Sequence, residues 1–199
     1  MFGTHFYHET IKRSVSIFGT LFNNIYIKKI KSDGTVLAQQ IVPISYGPKQ
    51  KWLERLSEEA DLSDGNRSAI SLPRMAFEIA GFEYDATRQQ NKLIRSQKST
   101  LESGDVKRSF QYAPAPYTIN FTLSILAKQA NDGLQIIEQI LPYFQPEYNV
   151  TMKMVDSMSE VRDVPITLNS VAMEDTYEGG FDERRVIEHT LEFSMKIYF

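Results

Sequence analysis

Few residues in this chain are of kinds that do chemistry, and their spacing limits what each can be. His5, His8 and Glu9 form an H-x-x-H-E run near the amino terminus. A protease-type zinc site on a helix needs two histidines four apart with the glutamate between them, so both spacing and order are wrong here. The chain has 3 histidines, and the remaining one, His189, is remote in sequence, so the pair has no obvious third ligand. His5 and His8 read as surface or helix-end residues. His189 stands on the apolar side of an alternating segment, where a hydrogen-bonded core or interface histidine is expected. The chain has 0 cysteines, which excludes disulfides, cysteine-ligated zinc, iron–sulfur clusters and thiol nucleophiles, and fits assembly in a reducing cytoplasm.

The stretch Glu178-Gly-Gly-Phe-Asp182 offers two carboxylates close together, the raw material of glycoside hydrolysis. It falls between two strand-like patterns, however, where acidic residues and glycines are expected of a turn. Gly179-Gly180 is not followed by Lys-Ser/Thr as a phosphate loop requires, and no G-x-S-x-G nucleophile elbow occurs. No catalytic, metal-binding or cofactor-binding set emerges. The hydrolase reading stays open only as an alternative in which Glu178 and Asp182 would carry the activity.

Two other stretches carry residues suited to contacts. Arg88, Lys92, Arg95, Lys98, Lys107 and Arg108 gather between Ala86 and Tyr112, with only Glu102 and Asp105 opposing them. Their aromatic neighbours do not interleave as a base-stacking surface would need, so single-strand binding is poorly supported. The segment is either a solvated loop or an arm that docks on an acidic surface of a neighbouring subunit, and its length and unbalanced charge favour the arm. Acidic residues gather elsewhere, at Glu54 to Asp64 and at Glu174 to Glu183. The net charge of −3 supplies no global attraction to nucleic acid or to an anionic membrane. The second stretch is EQILPYFQPEYNVTM, Glu138 to Met152, where Tyr143, Phe144 and Tyr148 crowd a proline-bounded corner. Such aromatics either pack under their own loop or stand out as interface anchors.

The elements that position these residues are legible from periodicity. Tyr7, Ile11, Val15, Phe18 and Phe22 recur at helical spacing. Runs from Ile25 to Ile30 and from Val36 to Tyr46 flank Asp33-Gly34, a hairpin signal, with Pro43 marking an edge or an end. Pro48 opens a short helix carrying Trp52, Leu53 and Leu56. From Met75 the apolar positions are odd until Gly81 and even after it, which predicts a β-bulge. The aperiodic stretch from Ala86 to Tyr112 predicts a long extended loop. Tyr117 to Ile125 alternate, and a helix capped by Asn131 or Asp132 ends at Pro142. Alternating runs then begin at Tyr148, Val164 and Ile187.

At 199 residues and 42% hydrophobic content the chain suits one domain over residues 1–199, with an arm at about 86–112. The expected class is α+β, a largely antiparallel sheet of six to seven strands with about three flanking helices on one face. The start does not resemble a signal peptide, and no apolar run reaches bilayer length, so a soluble cytoplasmic product without a membrane partner is expected.

A resemblance adds what spacing does not supply. ILPYFQPEYNVTM, Ile140 to Met152, is similar to a segment typical of the tail sheath stabiliser and completion proteins of T-even-like contractile-tailed bacteriophages. MFG at Met1 to Gly3, IYIKK at Ile25 to Lys29, VPISY at Val42 to Tyr46 and LPR at Leu72 to Arg74 match in the same order. QYAPAP at Gln111 to Pro116, LSI at Leu123 to Ile125 and ERRVIEHTLEF at Glu183 to Phe193 continue the series. The resemblance implies a tail-terminator-like fold and a structural role without cofactor or reaction. It implies a homohexameric ring at the neck-proximal end of the virion tail, assembled in the host cytoplasm. Its implied partners are the tail sheath protein, the tail tube or tube terminator protein and the neck or head-completion proteins. DNA passes only through the lumen, whose wall is expected to be neutral or acidic. A terminator ring of a non-phage contractile injection system is the alternative of the same kind. The T-even proteins continue beyond their last strand, whereas this chain stops at Phe199, so contacts made by such an extension are not expected here.

Overall fold

The computed structural model describes residues 5, 7–30, 34–58, 71–102, 105–155, 160–175 and 186–199. The chain opens with helix α1, Thr10–Leu21, whose inward stripe is Ser14 and Phe18, continued by Phe22 beyond its end. Tyr7 and Ile11 are exposed, so the apolar spacing overstates the helix at its start. Buried Ser14 is satisfied locally, donating from Oγ to the Thr10 carbonyl at 2.9 Å. Phe18 stacks on Phe121 with ring centroids 4.3 Å apart and meets Phe193 edge-on at 5.3 Å, which makes this one side chain the hub of the core.

Strands β1, Tyr26–Ile30, and β2, Val36–Ile41, form the expected antiparallel hairpin, and Gly34 has the positive φ of 81° that such a turn demands. Pro43 ends β2, and the chain re-enters as a separate short strand, β3, Ile44–Tyr46. Helix α2, Lys49–Glu58, follows Pro48. Strand β4, Arg74–Tyr84, carries the predicted bulge, its register with β7, Pro116–Ala127, shifting between Ile79 and Gly81. Phe82 then pairs with core Ile119, as the change of parity requires. Helix α3, Ala130–Ile140, begins at Gln129 with no side-chain cap, so Asn131 and Asp132 do not cap it; Asp132 is instead buried within the first turn. Strands β8, Glu147–Val155, β9, Glu160–Asp175, and β10, Ile187–Tyr198, complete the body.

The main sheet has six strands in the order β3-β4-β7-β10-β9-β8, antiparallel except for β3 against β4. The alternation of β7 and β10 is realised residue by residue: Leu123, Ile125, Leu191, Phe193 and Met195 are fully buried under α1, α3 and β1. Burying one such side chain stabilises the fold by roughly 1.5–3 kcal/mol, so this layer dominates its energetics. The three helices do not share one face. Trp52 of α2 packs with Ala76 and Leu126, whose neighbours Met75, Phe77 and Ile125 point into the main core, so α2 lies across the opposite face. Arg74 sits over the indole at 4.3 Å, and Lys49 Nζ meets Glu188 at 2.8 Å, fixing α2 at that corner. The rest of that face is polar, lined by Thr118, Asn120, Thr122, Asn169, Ser194 and Lys196.

The stretch expected to be a long irregular loop is a hairpin. After a 3-10 turn at Ala86–Arg88, strands β5, Arg95–Glu102, and β6, Asp105–Tyr112, pair antiparallel as a separate two-stranded ribbon. The segment is thus a two-stranded ribbon set apart from the main sheet rather than a loop. Charged and hydroxyl residues interrupt the apolar alternation of its strands, which makes the pattern weaker than in the body.

Candidate interaction surfaces

The arm is anchored by a small charged knot at its root. Asp85 accepts hydrogen bonds from Thr87 N at 3.0 Å, from the Thr87 hydroxyl and from Arg88 Nε at 2.6 Å. The Arg88 guanidinium also donates to the Tyr117 carbonyl at 2.9 Å and lies over the Tyr198 ring at 4.9 Å. These donors, the Thr87 hydroxyl first and then Arg88, hold the Asp85 carboxyl down at about 2, against an ordinary value of 3.8. Arg88, one of the residues expected to reach outward, is thus taken up within its own chain and ties the arm to β7 and β10.

Beyond the root the ribbon has two unlike faces. Register pairs Arg95 with Tyr112, Gln97 with Phe110 and Ser99 with Arg108, so these side chains share one face, and the Arg95 guanidinium lies 5.1 Å from the centre of the Tyr112 ring. Phe110 is 60% and Tyr112 63% exposed, and Val106 on the same strand parity is also open. Lys98 pairs with Ser109 on the other face. Of Lys107 only the backbone is described, paired with Thr100, while Lys92 lies exposed before the first strand. Sequence reading passes over the aromatic positions Phe110 and Tyr112, which the fold leaves exposed. Val106, Arg108, Phe110 and Tyr112 do alternate with Lys107, Ser109 and Gln111, and Ser103-Gly104 is a turn signal, so a short strand pair was readable there.

The second surface is a cleft of about 520 Å³ between the end of α1, the start of β1 and the corner from α3 to β8. Phe22, Ile25, Ile140, Pro142 and Tyr148 line it, with Glu138 on its wall. The corner sorts its aromatics. Phe144 is half-buried against Phe22, Phe193 and Tyr148, with centroids 6.4, 5.1 and 6.2 Å away, whereas Tyr143 is 68% exposed. Leu141–Tyr143 form a 3-10 turn that carries Pro142, and the Gln145–Pro146 peptide bond is cis. Phe144 therefore serves its own loop, Tyr143 faces outward, and Tyr148 lines the cleft with its ring against Phe144.

A third surface is the β1–β2 hairpin. Gln139 of α3 accepts from Tyr26 N at 3.4 Å and donates to Tyr26 O at 2.7 Å, and Gln135 accepts from Lys28 N at 3.0 Å. These two side chains occupy the hydrogen-bonding edge of β1. The apolar side chains Ile30, Val36 and Leu37 near the hairpin's tip are more than half exposed. Among the described residues no group of three or more histidine, aspartate or glutamate side chains converges as a metal site, and Glu178 and Asp182 lie outside them. The His5 ring lies tilted beside Tyr7, centroids 6.5 Å apart, and His189 is buried beneath α3.

Comparison with known proteins finds relatives over nearly the whole chain. A family model described as the T4-like virus Myoviridae tail sheath stabiliser matches residues 5–199. The tail completion protein gp15 of Enterobacteria phage T4 is 33% identical over 200 residues, covering 98% of this chain and 71% of that relative.

Proposed function

This chain belongs to the tail sheath stabiliser family of T4-like Myoviridae, and from that premise we propose that it closes head to tail with copies of itself into a six-membered ring. The family assignment makes it a structural protein of the bacteriophage tail. The ring caps the tail tube and the last sheath layer and presents the neck proteins with a docking surface. The observation that carries this reading is the exposure of Phe110 and Tyr112 on a ribbon that stands apart from the main sheet. An isolated two-stranded hairpin is marginal in water, so a ribbon with an open aromatic face is suited to being completed by another subunit.

A ring needs each subunit to offer one surface to the left and a different one to the right, and closure follows if the rotation fits. The arm and the cleft are two such unlike surfaces. Arg95, Lys98, Lys107 and Arg108 on the arm, and Tyr143 and Tyr148 at the cleft, are the interface residues of this reading. The completion ring holds the extended sheath by contacts that a further sheath layer would otherwise make, which stabilises one conformation by binding it preferentially. DNA moves through a lumen lined by neutral or acidic residues, the arm's cations being engaged in subunit contacts. Particle mass and negative-stain images of the purified protein, alone and on tails, test the proposal. Six-fold rings are expected; a protein that stays monomeric in both settings refutes it.

A further inference from the structure

Resting on that ring reading, we propose that the aromatic face of the arm, Phe110 and Tyr112 flanked by Arg95 and Arg108, seats in the Phe22–Pro142–Tyr148 cleft of the adjacent copy. The occupant of the cleft is therefore a second copy of this chain.

Topology gives the first argument. The arm leaves the sheet between β4 and β7, while Tyr148 lies on β8, the far edge strand. Register runs Phe82 to Ile119, Ile119 to Met195, Met195 to Ile166 and Ile166 to Tyr148, one transverse row across the sheet. Arm root and cleft thus stand at the same level, separated by four strand spacings, roughly 19 Å. Two surfaces level with each other on opposite flanks are what a head-to-tail contact in one plane requires. Within the single chain neither covers the other, since Phe110 is 60% and Tyr143 68% exposed.

Chemistry gives the second. The cleft is mainly apolar, with Phe22, Ile25, Ile140 and Pro142 on its walls, and its volume of about 520 Å³ admits aromatic side chains. Glu138 lines it and Glu147 precedes Tyr148, both exposed, which complements Arg95 and Arg108 beside the arm's two rings. Aromatic anchors in an apolar pocket with charged groups at the rim is the arrangement that concentrates binding energy. This assigns the contact mainly to the ribbon's aromatic face, with the arginines setting register and specificity.

The chain's 0 cysteines allow a clean test. Gln97→Cys places a thiol on the proposed arm face, and Asn24→Cys places one at the cleft. A short bismaleimide is expected to give covalent dimers when the two single variants are mixed, and none with either alone. Phe110→Ala/Tyr112→Ala is expected to weaken association by about a hundredfold, as loss of anchor residues does. Arg108→Glu is expected to weaken it by about tenfold and Glu138→Arg to restore it in the double variant. The monomer's thermal unfolding should be unchanged in each, which separates docking from folding. If wild type associates but the Phe110/Tyr112 variant associates equally well and the mixture fails to cross-link, this inference is wrong and the ring reading survives. If wild type itself never associates, in solution or on tails, both fall.

Discussion

Gly133 of α3 lies against the imidazole of His189 on β10, so closely that a β-carbon would fall within 2.6 Å of Cδ2 and nearer still to Nε2. Both residues are buried, and the contact sets how deeply the helix sinks onto the centre of the sheet. Alanine at a helical glycine normally gains up to about 1 kcal/mol, but overpacking a closed core costs about 1–3 kcal/mol. Because a ring wedged between helix and strand has little room to turn aside, the second effect wins. Gly133→Ala should lower the melting temperature by several degrees, at about 2–4 °C per kcal/mol for a chain of this size. His189→Ala should make the same substitution much less harmful, a coupling that thermal denaturation of the four proteins of the cycle reads directly.

The tie between α2 and β10 gives a pH-dependent prediction. The hydrogen bond from Lys49 to Glu188 is the main reason the ammonium titrates above its ordinary 10.5, outweighing its partial burial. A raised cation stabilises the fold fully below that ordinary value, and the contribution is lost as pH rises through the raised one. Lys49 remains a third exposed, so solvent screening keeps the pair to about 1 kcal/mol. Lys49→Met should cost about that much at neutral pH and progressively less as pH rises through the lysine's raised titration range, measured by urea denaturation across that range.

At the arm root the sign is reversed. Asp85 is held at about 2, so its stabilisation is complete above the ordinary value of 3.8 and disappears as pH falls toward 2. Asp85→Asn should free the arm at neutral pH. Faster amide exchange over residues 86–94, with the core strands unchanged, is the expected signature, and wild type should show the same local loosening only in strong acid.

Gln139 makes a prediction about the β1 edge. Removing its amide leaves Tyr26 N and O facing solvent, a net loss of about 1 kcal/mol. Gln139→Ala should speed exchange of the Tyr26 amide and increase self-association of the protein at high concentration, because the vacated edge can pair with another chain.

Much of this architecture was legible because packing leaves periodic traces. The alternation in Tyr117 to Ile125 and Ile187 to Phe199 marks strands buried on one face, and the parity change at Gly81 marks the bulge. The position of α2 was not legible, since Trp52, Leu53 and Leu56 announce an apolar helix face but not which side of the sheet receives it. The arm was hidden for the opposite reason. Phe110 and Tyr112 stay exposed, Tyr112 meeting the guanidinium of Arg95, so both look incidental beside the conspicuous arginines and lysines. Arg88 misled in turn, because a charge count cannot distinguish a cation offered outward from one already held by Asp85 and Tyr198. Tyr143, Phe144 and Tyr148 were marked together by the prolines around them, but only the contacts to Phe22 and Phe193 separate Phe144 from the other two.

Strand β10 follows all the others in the chain yet lies between β7 and β9 in the sheet. While the protein is being synthesised, the sheet therefore consists of two halves with no strand to join them, and Phe18 and Phe121 lack the cover that Phe193 provides. Completion of the core waits until residues 187–198 have left the ribosome, because the β7–β10 pairing joins strands distant in sequence, although β9 and β10 are near neighbours. Until then the inner side chains of β7 and β9 have no strand between them to close the layer.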